Sequence, residues 1–189
     1  MICNKTSIIK NSIYNLAGDI PPFDNLEKDH IQDSLKWIAS GDPLFRVQKP
    51  DVPRKHLVSY FLPLDQDQKK VLLVDHKNAQ LWLPPGGHVE IDEHPKDTAI
   101  RECKEELDVD AVFWSDDPFF LTSTAVENHG KYHTDVSFWY ILTANSIEDT
   151  YNFDQSEFSS IQWFHLDEIP WEKSDPHMHR FIEKLKQRL

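Results

Sequence analysis

The sequence predicts an α/β fold preceded by a helical extension, and three observations predict it. Strand-like and helix-like patterns alternate between Lys55 and Leu189 in the order β-β-β-helix-β-β-β-helix. A separate helical pattern occupies the first fifty residues, and Pro50 and Pro53 punctuate the passage between the two. With 189 residues the chain can bury a full core. The expected division is therefore an N-terminal helical extension over 1–54 and one α/β domain over 55–189.

In the extension, Asp24-x-x-Glu27 reads as an N-terminal capping box. Leu26, Ile31, Leu35 and Ile38 recur at roughly helical intervals, and Gly41 followed by Pro43 ends the run. The extension is expected to pack on the core, form a dimer contact or close over substrate.

Strands dominate beyond it. His56–Leu62 and Val71–Val74 flank the charged turn Asp65–Gln68, the pattern of a hairpin. Leu81-Trp82-Leu83 is a short apolar strand broken by Pro84-Pro85-Gly86-Gly87, where glycine permits positive φ and close approach of backbone to a ligand. Pro95 suits the first turn of the following helix, where its missing N–H costs nothing. Ala99, Ile100, Cys103 and Leu107 form the apolar stripe expected to seat that helix on a sheet. Phe119–Val126, Val136–Thr143 and Ile161–Phe164 are further strands, rich in aromatic and β-branched residues. Asp175-Pro176 opens a terminal helix carrying Met178, Phe181, Ile182, Leu185 and Leu189 at helical spacing.

The chemistry is concentrated between Gly87 and Val109. Positions i, i+3 and i+4 of a helix share a face, so Glu102, Glu105 and Glu106 present three carboxylates together. Like charges at that spacing cost a few tenths of a kcal/mol per pair, roughly. A hard divalent cation that keeps positions open for water and phosphate oxygens gives the crowding a purpose. The plain alternative for such acids is a solvated helix face. The apolar stripe and the glycine turn argue against it, because they direct the acids towards the turn.

By spacing the segment is Gly87, five residues, Glu93, seven residues, then Arg101-Glu102-Cys103-x-Glu105-Glu106-x-Asp108-Val109. It resembles the box of the Nudix hydrolases, MutT-like enzymes with the pattern G-x5-E-x7-R-E-U-x-E-E-x-G-U, where U is apolar. Asp108 departs from it, standing where the pattern has Gly, and Cys103 fills a slot that usually holds a larger aliphatic. The resemblance spans about Lys55 to Leu189. It implies a Nudix-type α/β/α sandwich with a mixed sheet and metal-dependent hydrolysis of a diphosphate bond, in a nucleoside diphosphate linked to another moiety or in a nucleoside triphosphate. It further implies Mg²⁺, with Mn²⁺ as the alternative, held by Glu102, Glu105, Glu106 and the Gly86 carbonyl. Glu93 and Arg101 would organise the helix and loop or take part directly. Glu157, an acid preceding Trp163, matches the general base of several members; Asp154 and Glu127 are the alternatives. Asp175, His177 and Met178 resemble the region that contacts the base in MutT-like nucleotide hydrolases.

His129 and His133 have the spacing of metal ligands, but the reading preferred for them is an exposed hairpin loop, idle or touching substrate, since hard oxygen ligands already suit Mg²⁺. Trp82, Phe45, Tyr132 and Trp171 are available for stacking on a base, although aromatic residues at such places are more often core. Two rival classes stand beside the hydrolase: a regulatory nucleotide-binding module that has lost turnover, and an isoprenoid-diphosphate isomerase. The first is expected to lack box glutamates. The second needs a reactive cysteine, for which the stripe residue Cys103 is poorly placed.

Composition narrows the partners. Lys+Arg 20 against Asp+Glu 32 gives a formal net charge of −12, so counterion release gives no affinity for long nucleic acid or an anionic membrane. A small nucleotide bound through metal fits better. No window approaches the roughly 18 apolar residues of a membrane span, and Asn4, Lys5 and Lys10 interrupt any signal-peptide core. Two cysteines, Cys3 and Cys103, predict no disulfide and a cytoplasmic location. The oligomeric state is left open, a homodimer included.

Overall fold

The computed structural model describes residues 2–49, 51–128 and 131–189, the side chains of residues 2–4, 128 and 131 excepted. His129 and the Cys3 thiol therefore lie outside the described residues. The elements are α1 (Ile2–Gly18), α2 (Asn25–Ser40), β1 (Lys55–Asp65), β2 (Lys70–His76), β3 (Leu81–Leu83), β4 (Gly86–His88), α3 (Pro95–Leu107), β5 (Phe120–Asn128), β6 (Lys131–Thr143), β7 (Phe158–His165) and α4 (Met178–Lys186). The strands hydrogen-bond in the order β3-β2-β1-β6-β5, with β4 joined to β1 and β7 to β2. Two compact units are distinguished: residues 1–60, 87–99 and 117–140 form the first, and 61–86, 100–116 and 141–189 the second.

In the first unit, Asp24 caps α2 by accepting the Glu27 N–H at 2.8 Å. Glu27 reaches back to the Phe23 N–H at 2.6 Å, one residue earlier than a standard capping box places it. Its other oxygen accepts the Leu121 N–H of β5 at 3.3 Å, so a fully buried carboxylate ties the start of α2 to the sheet. Gly41 ends α2 at φ +86°, the left-handed conformation that favours glycine. Ile31, Trp37 and Ile38 are buried on α2, whereas Leu26 is exposed, so the buried face is narrower than the spacing indicates. The helix α1 has no counterpart in the sequence reading. Among its described side chains Ile13 and Ala17 are buried, and Asn, Ser and Thr dilute its periodicity.

Strands β5 and β6 pair antiparallel from Phe120 opposite Trp139 to Asn128 opposite Lys131. Trp139 is fully buried, donates Nε1–H to Thr122 at 3.1 Å, and meets Tyr60 and Phe120 edge-on. Strand β6 begins at Lys131, five residues before the predicted start at Val136. His133 consequently lies within a strand and is buried, which corrects its expected place in an exposed loop.

In the second unit, Val71, Leu72, Leu73 and Val74 are all buried. The four-residue apolar run is the mark of a strand covered on both faces. It pairs antiparallel with β7 from Lys70 opposite His165 to His76 opposite Phe158, and with β3 from Val74 opposite Leu83. The predicted β1–β2 hairpin is present: Asp65 pairs with Lys70, and its carboxylate accepts the Gln68 N–H of the turn. Cys103 and Leu107 are buried on α3, but Ile100 is 45 % exposed and does not belong to the seated stripe. Met178, Phe181, Ile182 and Leu185 of α4 are buried as one apolar face. Residues 86–88, read as part of a turn, form the short strand β4, with Gly86 at φ +142°. That backbone is open to glycine and strained for other residues.

Candidate active site

The box residues fall on α3 and on the loop before it. Pro95 is the first residue of α3, as its lack of an N–H donor requires, and its carbonyl accepts from Ser59 at 2.7 Å. Ahead of it, one Glu93 carboxylate oxygen accepts both the Glu90 N–H at 3.0 Å and the Thr98 hydroxyl at 2.7 Å. Glu93 thereby fastens the loop to the first turn of α3, an organising contact within the first unit.

The acids lie in the second unit. Glu106 is buried and accepts the Gly86 N–H at 2.7 Å, joining the glycine turn to the helix that carries the carboxylates. Arg101 Nη1 lies 2.7 Å from Glu102 and 3.2 Å from Glu105, so one guanidinium spans two of the three glutamates. Glu105 is exposed and Glu102 half-buried. Burial and then the Glu102 charge push the Glu106 carboxyl up to about 9, with Glu157 and Asp154 adding to the effect. Burial also raises Glu102, against the opposing pull of Arg101. The buried Glu106 carboxyl on the glycine turn, with the half-buried Glu102 repelling it from the same helix, forms a donor set suited to a hard divalent cation, whose charge would favour the ionised form of both.

Glu157 is exposed in the turn before β7, and its charge acts on both Glu102 and Glu106. The same turn is anchored to α3 by the Asp154 N–H, which donates to the Glu106 carbonyl at 2.8 Å. The Ser156 side chain, and then its N–H at 2.7 Å, hold the Asp154 carboxyl below the usual range. Glu127 lies in the first unit, bonded to the Tyr132 hydroxyl at 2.9 Å. Asp108 ends α3 at φ +55°, in the left-handed position where the family pattern has glycine.

At the start of α4, the Asp175 side chain accepts the His177 N–H at 2.7 Å, and Arg180 meets His177 Nδ1 at 3.0 Å. Met178 is fully buried, so its side chain belongs to the core in this conformation and offers no surface for a base. Ser174 donates to the Trp82 carbonyl at 2.7 Å, bringing Trp82 beside the segment that leads into α4. Trp82 also packs edge-on against Phe164, and Trp171 against His179. Phe45 is buried, whereas Tyr132 is exposed.

A second set of convergent donors, which the sequence reading does not assemble, lies in the first unit. It comprises Asp51, His56, His88, His133 and Asp135. The only local signal is His133-Thr134-Asp135, whose spacing of two puts both side chains on one face of a strand.

The mixed sheet with its flanking helices, and the glycine turn ahead of an acidic helix, place the chain in the α/β class. The NUDIX domain family matches residues 54–185, and the chain belongs to this family. It is 30% identical over 125 residues to an uncharacterized Nudix hydrolase of Bacillus subtilis, covering 63% of this chain and 75% of that protein. To Nudix hydrolase 2 of Arabidopsis thaliana it is 29% identical over 156 residues, covering 80% and 50%. To the mRNA-decapping enzyme subunit 2 of Saccharomyces cerevisiae it is 28% identical over 108 residues, covering 56% of this chain and only 10% of that protein. The match thus spans a tenth of the yeast protein and half of the plant one. Among solved structures, the Escherichia coli dihydroneopterin triphosphate pyrophosphohydrolase superposes with a TM-score of 0.54 at 18% identity, covering 70% of this chain and 96% of that one. A Caenorhabditis elegans Ap4A hydrolase superposes with a TM-score of 0.52 at 20% identity, covering 70% and 94%. These likenesses bear out the expected Nudix-type α/β fold with helices before it. No described helix is long and apolar enough to cross a membrane.

Proposed function

We propose that the chain is a divalent-metal-dependent hydrolase of a diphosphate bond in a small nucleotide: a nucleoside triphosphate, or a nucleoside diphosphate linked to another moiety. The observation that carries this reading is Glu106, a buried carboxyl raised by its neighbours and bonded to the Gly86 N–H on the glycine turn. Glu102, Glu105, Glu106 and the Gly86 carbonyl are the residues that would hold Mg²⁺, or Mn²⁺ in its place. Bound there, the ion would neutralise the diphosphate oxygens and acidify a water. Arg101 keeps Glu102 and Glu105 in reach of one another, and Glu93 holds the loop that leads into α3. Glu157 is the proposed general base, since it is solvent-accessible and its charge is felt by two of the three glutamates. Asp175 and His177, beside Trp82, are proposed to contact the nucleoside, with Met178 supporting them from the core.

Both rival readings lack support. Burial and then Glu106 push the Cys103 thiol up to about 12, which removes it as the nucleophile of an isomerase. All three box glutamates are present, which favours turnover over a purely regulatory role. Residues 1–54 are proposed as an extension preceding the hydrolase domain 55–189, in a cytoplasmic enzyme without long nucleic-acid or membrane partners. The test is a nucleotide panel assayed with Mg²⁺, with Mn²⁺ and with chelator, following release of phosphate and pyrophosphate. Metal-dependent release from any member supports the reading; no release from any member under either ion refutes it.

A further inference from the structure

His56 is fully buried at the start of β1, and its Nδ1 lies 2.8 Å from the Pro53 carbonyl. A carbonyl only accepts, so Nδ1 carries the proton and Nε2 of the neutral ring presents a bare lone pair. That lone pair faces Asp135 Oδ1 at 3.0 Å, another acceptor. Neither atom has a hydrogen-bond partner, and both are buried. Two acceptors held this close in the interior require either a second proton on the His56 ring or a metal ion between them.

The surroundings supply more donors than a shared proton uses. His133, 8 % exposed, has Nε2 at 3.5 Å from the same Asp135 oxygen, while its Nδ1 is buried without a hydrogen bond and lies 3.6 Å from Asp51. The His88 ring centroid is 4.9 Å from that of His56. Ligand atoms of His56, His88 and Asp135 all lie within 4.8 Å of one another, and so do those of Asp51, His56 and His133. Zinc bonds of about 2.0–2.1 Å in a tetrahedron separate ligands by roughly 3.3–3.4 Å, and the His56–Asp135 contact of 3.0 Å lies close to that spacing. The backbone holds the donors in place: Val89 N–H donates to Leu57 at 3.1 Å beside β4, and Thr134 N–H donates to Arg54 beside β6. Asp51 and Asp135 put two acidic side chains at the cluster, where the positive charge of Arg46 also acts on His56 and His88.

We propose that His56, His88 and Asp135 bind one divalent transition-metal ion of the zinc class, with His133 as a positioning residue for Asp135. Imidazole nitrogens select such an ion over Mg²⁺, so this site is chemically distinct from the all-oxygen glutamate site. The Pro53 carbonyl acts as the outer partner that orients His56. By joining β1, β4 and β6 the ion would serve as a structural clip.

The test uses the full chain, stripped with chelator and titrated with Zn²⁺ and with Co²⁺, followed by metal analysis, visible Co²⁺ absorption and thermal melting. One ion per chain beyond any held at the glutamate site, a cobalt spectrum of nitrogen–oxygen ligation and a raised Tm are expected. His88→Gln should weaken binding by at least ~100-fold, and His133→Asn by ~10–100-fold. Glu106→Gln should leave the cobalt spectrum unchanged. The proposal is overturned if neither ion binds stoichiometrically, which would leave a proton shared by His56 and Asp135. It is equally overturned if His88→Gln binds like the wild type, or if Glu106→Gln abolishes the spectrum. Asp135→Asn, which keeps the side-chain shape, guards against misfolding of the histidine variants: a folded Asp135→Asn chain that retains full affinity would also refute it.

Discussion

Metal binding at the glutamate site should release a proton from Glu106. In the metal-free protein this carboxyl sits at about 9, against an ordinary 4.5. Only about 1 % of it is ionised at pH 7, and a metal ligand must be ionised. Between pH 7 and 9 the apparent affinity for Mg²⁺ or Mn²⁺ should therefore rise by about tenfold per unit and then level off, about 1.4 kcal/mol for each unit. Stability carries the opposite sign without metal. A carboxyl whose folded value lies above its unfolded value favours the fold least when ionised, so the metal-free protein loses stability as pH rises above 4.5 and stops losing it near 9. At pH 7.5, three units above the unfolded value, the loss from Glu106 amounts to ~4 kcal/mol. Calorimetric titration at pH 6.5, 7.5 and 8.5, in buffers with different ionisation enthalpies, reads the proton count directly. Close to one proton per bound ion at pH 7.5 is expected, and Glu106→Gln should abolish this release. Affinity independent of pH, with no buffer-dependent heat, would refute the assignment of Glu106 as a buried ligand.

Glu105→Gln or Glu106→Gln should lower kcat by at least ~100-fold with unchanged far-UV circular dichroism, as for loss of a transition-state charge contact; wild-type turnover in both would remove α3 from the chemistry. Glu157→Gln should lower kcat with little change in KM, while changes at Asp175 or His177 should move KM and substrate ranking. The crossed result would move the base to Asp154 or Glu127. Asp108→Gly should raise Tm by a few degrees with activity retained, since φ +55° favours glycine and the exposed Lys104 pair at 2.8 Å contributes little; a fall would show that this pair matters more than backbone strain. Glu27→Ala strips two backbone N–H groups, those of Phe23 and Leu121, of their buried acceptor, and chemical denaturation should show a loss of ~2–4 kcal/mol.

The sequence by itself determined what depends on short-range periodicity and local backbone chemistry. Asp24 and Gly41 bound α2, Pro95 opens α3, the Asp65 turn closes a hairpin, and the box spacing puts three glutamates on one helix. Each of these follows from a rule that spans fewer than about five residues, 3.6 per helical turn or a capping bond three residues long. Tertiary structure decided the rest. Burial of Glu106 against Gly86, twenty residues away, shifts its protonation, and no local pattern reports that. Ile100 and Leu26 carry the right hydrophobicity and still face solvent, because burial depends on which surface arrives opposite. His133 reads as a loop residue until pairing along β5 extends β6 back to Lys131. His56, His88 and Asp135 stand 32 and 47 residues apart in the chain and meet only because separate strands are drawn together by long-range hydrogen bonds, an encounter that sequence spacing does not encode.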